Sequence, residues 1–94
     1  MKFVVKKNKD NSVVVMRHLG YHPHRQGASF VRRLTSDDFP RLHAYLRNVG
    51  DDWEISLHLD QKGACYAGSR AHSGDYDGDV LDTEKERIVN FLNK

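Results

Sequence analysis

The chain has 94 residues and a formal net charge of +2, with 38% hydrophobic and 30% charged residues. That balance fits one soluble globular domain and excludes a disordered chain. The longest uninterrupted apolar run covers residues 13–16, so neither a membrane span nor a signal peptide is expected.

The first element is read at Phe3-Val4-Val5, a β-branched run that turns polar at Lys6-Lys7. Asn8-Lys9-Asp10-Asn11 has turn composition, and Ser12-Val13-Val14-Val15-Met16 resumes an apolar run. Residues 2–18 therefore read as a β-hairpin. Residues 20–27 form a long loop, and residues 28–34 a third strand.

Residues 36–49 admit two readings. Phe39, Leu42, Leu46 and Val49 lie at helical spacing, whereas Leu42, Ala44 and Leu46 alternate with Arg41, His43, Tyr45 and Arg47. Pro40 would fall inside a helix capped by Ser36 and biases Phe39 away from helical backbone, so the strand is preferred. Trp53, Ile55, Leu57 and Leu59 then alternate with Glu54, Ser56, His58 and Asp60, the clearest period-two pattern in the chain. A hairpin follows, with Arg47 set against Asp52 across a four-residue loop. One face is aliphatic; the other is polar and carries Arg41, His43, Tyr45, Ser56, His58 and Asp60.

Residues 66–72 read as a short edge strand and residues 73–81 as a turn-rich segment. Thr83 and Glu86 make a capping box, which predicts a helix over 84–93 with Ile88, Val89, Phe91 and Leu92 buried. The expected fold is α+β: a single domain over 1–94, with a four- to five-stranded, mostly antiparallel sheet and the C-terminal helix packed on one face.

Charge is unevenly divided. Residues 1–47 hold ten Lys+Arg and three Asp+Glu, whereas residues 48–94 hold five and ten. Part of this split cancels across the hairpin, and the rest points to a binding surface. Arg17, Arg25, Arg32, Arg33 and Arg41, with Tyr45 or Tyr21 for base stacking, are the candidate nucleic-acid-binding residues. The leading expectation is a non-enzymatic binding protein for nucleic acid or another phosphate-bearing ligand.

Two other functional classes compete. His58 and Asp60 point the same way on a strand, and a distal His72 would complete two imidazoles and a carboxylate. That donor set suits a divalent metal in a small enzyme, although no cofactor is expected on the leading reading. The third class is a protein-interaction or inhibitor module with a protein partner.

Three weaker patterns stand beside these. Asp75, Asp77, Asp79 and Glu86 resemble a calcium loop but lack its central glycine, so an acidic turn is the simpler reading. His58 and Asp60 with Tyr76 evoke the HUH nucleases, but Tyr76 is expected in a turn rather than on their helix. The single Cys65 reads as an inert thiol, excludes an internal disulfide and points to the cytoplasm.

Residues 29–34 (Ser-Phe-Val-Arg-Arg-Leu), 40–43 (Pro-Arg-Leu-His), 57–62 (Leu-His-Leu-Asp-Gln-Lys) and 71–76 (Ala-His-Ser-Gly-Asp-Tyr) together resemble a family of small uncharacterised bacterial proteins. The likeness spans roughly residues 28–88. It implies no activity and no catalytic residues, and it favours the strand reading of residues 40–47.

Overall fold

The computed structural model describes residues 1–25, 29–61 and 70–93, with backbone alone over 70–77. The elements run β1 (Lys2–Lys6), α1 (Ser12–His18), β2 (His22–Pro23), β3 (Ser29–Arg33), β4 (Arg41–Val49), β5 (Asp52–Asp60) and α2 (Arg70–Leu92). The strands make one five-stranded antiparallel sheet in the order β1-β5-β4-β3-β2. The fold is α+β, with the C-terminal helix against one face of the sheet.

The core forms where the alternation places it. Phe3, Val5, Phe30, Leu42, Ala44, Leu46, Trp53, Ile55 and Leu57 are buried on the aliphatic face. Val15, Met16 and Leu19 from the α1 region and Ile88 from α2 complete the same cluster. Val89, Phe91 and Leu92 pack at its margin, as the helical stripe requires.

The expected N-terminal hairpin is wrong in its second half: residues 12–18 are helical. The side-chain oxygen of Asn11 caps α1 by accepting from the Val14 N–H at 3.0 Å. Val15, Met16 and Leu19 then share one buried side, while Val13 and Val14 face outward. Burial of that short stripe outweighs the β preference of three consecutive valines.

The central hairpin has the expected faces in a register shifted by two. Val49 pairs with Asp52, and Arg47 pairs with Glu54 rather than Asp52. The loop is only Gly50-Asp51, and Gly50 takes φ +61°, as the first central position of a type II′ turn demands. This tighter turn lengthens the ladder and brings the Arg47 guanidinium within 3.0 Å of Glu54 Oε1. Parity is unchanged by a shift of two, so every side chain keeps its expected face.

The C-terminal helix starts earlier than expected. Residues 73–81 lie inside α2 rather than in a turn, and Thr83 sits in the helix interior, not at its cap. Residues 75–86 therefore cannot adopt a calcium-loop backbone, and Tyr76 lies on a helix. In the expected edge strand, residues 70–72 are helical and residues 66–69 fall outside the described residues, as does Cys65.

A buried polar knot attaches α2 to the chain leaving α1. Glu84 accepts from the Tyr21 hydroxyl at 2.6 Å and from Arg87 at 2.8 Å. Arg87 also donates to the Leu19 carbonyl, and Arg32 approaches Glu84 at 3.7 Å. Burial, with the Glu84 charge beside it, raises the pKa of the Tyr21 phenol far above its ordinary value.

Candidate functional site: the polar face of the sheet

Both helices pack on the aliphatic face, so the polar face is free of helix among the described contacts. Antiparallel pairing gathers its side chains from three strands. His43 lies opposite His58 on β5 and Val31 on β3; Tyr45 lies opposite Ser56 and Ser29; Arg41 lies opposite Asp60 and Arg33.

A hydrogen-bonded relay crosses these strands. His43 Nδ1 lies 2.8 Å from Asp60 Oδ2, and His43 Nε2 lies 2.6 Å from Ser29 Oγ. An ionised carboxylate can only accept, which assigns the proton of a neutral imidazole to Nδ1. Nε2 is then the acceptor, and the Ser29 hydroxyl donates to it. The Arg41 Nε donates to the same Asp60 oxygen at 3.4 Å and anchors the far end of the relay. Ser29 and His43 are both buried, at 9% and 8% exposure.

Rings surround this relay. Tyr45 stacks on His43 with centroids 4.4 Å apart and an interplanar angle of 19°. His58 meets the edge of Tyr45 at 5.9 Å, and His24 meets His43 edge-on at 5.2 Å. The four rings form a continuous chain across the face, with Tyr45 46% exposed. Partial burial and the positive charge of Arg41 hold the His24 imidazole below its ordinary pKa.

The arginines are divided between the two sides. Arg41 lies on the polar face, half-buried, its guanidinium 4.5 Å over the Phe39 ring. Arg33 shares that face and reaches Asp38 at 3.6 Å. Arg25 is exposed next to His24, at φ +59°. Arg32 points the other way, toward Glu84, and lines a cleft of about 380 Å³ with Leu34, Leu42, Val80 and Thr83. Arg17 belongs to α1, on the helical side. Arg25, Arg33, Arg41 and Tyr45 thus lie around one surface, and Arg17 and Arg32 do not; Tyr21, the other expected stacking residue, is fully buried against Glu84 and cannot stack on a base.

For the metal set, His58 and Asp60 do share a face of β5. Asp60 Oδ2 is engaged by His43 and Arg41, and the side chain of His72 lies outside the described residues. Among the described residues, no three His, Cys, Asp or Glu side chains gather as metal ligands.

Ser29 is not among the expected site residues, and His24 is expected only as one of the basic residues of the N-terminal half. Ser29 could have been found once β3 was paired with β4, because strand parity sets it beside Tyr45 and diagonal to His43. His24 lies just past a two-residue strand, too short for a periodic signal.

Comparison with known protein families, curated proteins and solved structures gives no match. Among the described residues, no helix is long and apolar enough to cross a membrane.

Proposed function

We propose that the polar sheet face binds single-stranded nucleic acid. The observation that carries this reading is the chain of ring contacts through His24, His43, Tyr45 and His58 on the face opposite the helices. A base stacked on the outer side of Tyr45 extends that chain. Aromatic platforms of this kind accept any base, because every base presents a π-face. Arg33 and Arg41, with Arg25 beside His24, supply phosphate contacts at the margin. Duplex nucleic acid is a poorer ligand, because its bases are already stacked and paired.

The test is fluorescence anisotropy with labelled single-stranded RNA, single-stranded DNA and duplex at low ionic strength. Single strands should bind, and affinity should fall steeply with salt. Tyr45→Ala should weaken binding by roughly 5- to 150-fold, the equivalent of one lost base stack of about 1–3 kcal/mol. Arg41→Ala should weaken binding and lower the salt slope by about one. Undetectable binding at low salt, or equal binding by Tyr45→Ala, overturns the proposal.

A further inference from the structure

The geometry points to a second capacity of the same face: Ser29 is an activated nucleophile whose general base is His43, oriented by Asp60. This inference does not depend on nucleic-acid binding, which makes no use of the Ser29 hydroxyl.

The argument rests on connectivity. Nucleophilic catalysis by serine needs a hydroxyl donating to an imidazole whose other nitrogen is held by a third group. Ser29, His43 and Asp60 supply that order at 2.6 and 2.8 Å. In the neutral imidazole the nitrogen facing the hydroxyl is the unprotonated one, because the carboxylate claims the N–H at Nδ1. Three strands hold the three groups, and Tyr45 stacked on His43 restricts the imidazole to one plane. Arg41 donates to the same Asp60 oxygen and helps to fix the carboxylate. A serine needed only to fill its own hydrogen bond could use neighbouring backbone and would need no oriented imidazole.

The substrates that match are small carboxylic esters, since Ser29 is recessed at 9% exposure. Ser29 Oγ attacks the carbonyl carbon while its proton passes to His43 Nε2. The ester C–O bond breaks, and the leaving alkoxide takes that proton from Nε2 and departs as an alcohol. Water then attacks the acyl-serine, gives one proton to Nε2 and forms the new C–O bond. The acid is released as Ser29 Oγ recovers the proton. The relay handles the proton alone, so the expected acceleration is that of general-base catalysis, about 10²–10⁴-fold.

The test is covalent labelling with an alkyl fluorophosphonate, read by intact mass and peptide sequencing. Ser29 Oγ forms a bond to phosphorus, the P–F bond breaks, fluoride leaves and the proton passes through His43 to water. One adduct is expected, at Ser29 and not at the exposed Ser36. Ser29→Ala should remove it, and His43→Gln and Asp60→Asn should each slow it by about 100-fold or more. Circular dichroism of each variant separates lost reactivity from lost fold, and if His43→Gln does not fold, Asp60→Asn reads the same step. No adduct at Ser29 overturns the inference, as does labelling at an unchanged rate in a folded His43→Gln or Asp60→Asn. Because the probe contains no nucleic acid, failure here leaves the binding proposal standing, and failure to bind RNA leaves this one standing.

Discussion

The Nδ1 nitrogen of His43 and Oδ2 of Asp60 lie 2.8 Å apart, joining the start of β4 to the end of β5 on the polar face. Asp60→Ala removes the acceptor for both His43 and Arg41. Charge-assisted hydrogen bonds of this kind are worth about 1.5–3 kcal/mol. Urea unfolding should show Asp60→Ala destabilised toward the lower end of that range, because the carboxylate retains access to water. An unchanged midpoint would mean that the pair contributes nothing to holding the hairpin end.

Glu84 carries a heavier structural load. It is buried and accepts from Tyr21 and Arg87, with Arg32 nearby. Glu84→Ala leaves a buried phenol without its acceptor and two guanidiniums without their carboxylate. The expected loss is about 3 kcal/mol, because breaking one side of a buried charged network strands the other. Tyr21→Phe deletes one donor only and should cost about 1 kcal/mol. Equal losses for the two variants, measured by urea unfolding, would contradict this ordering.

Gly50 sets the register of the central hairpin. At φ +61° any β-carbon meets its own backbone, although no other group lies within 4 Å of the position. Gly50→Ala should therefore cost about 1 kcal/mol through backbone strain alone. A two-residue loop that resists this change would show up as an unchanged thermal midpoint.

His24 gives the fold a small acid sensitivity. Its pKa is lowered in the folded protein by partial burial and by Arg41, so the unfolded chain binds the proton more readily. The His24 contribution to stability is therefore present above about pH 6.5, the unfolded value, and is lost as pH falls below it. Urea midpoints at pH 7.5 and 5.5 should differ less in His24→Gln than in the parent protein. A larger difference in the variant would reverse the sign of this argument.

Alternation made the polar face legible. Period two from Trp53 to Asp60, and from Arg41 to Arg47 with Pro40 at its start, fixes which side chains share a side. It does not fix loop length, because registers two apart keep the same parity. The Arg47–Glu54 pairing thus became visible only with the Gly50 turn. In α1, three valines in succession carry a strand signal, and only three apolar positions mark the helix. In α2, Val80 and Leu81 extend the stripe of Ile88 one turn before Thr83, a signal that was available. Upstream of them, the glycine- and aspartate-rich residues 73–79 offer no apolar stripe at all.

The binding surface is tested most directly by two-dimensional ¹H–¹⁵N spectra of the protein titrated with a short single-stranded RNA. Perturbations should concentrate on Arg33, Arg41, His43, Tyr45 and His58, and should leave Arg17 and the core of α2 around Ile88 unmoved. Perturbations centred on Arg17 and the Arg32–Glu84 cleft, or none at low salt, would place the ligand elsewhere or remove it altogether.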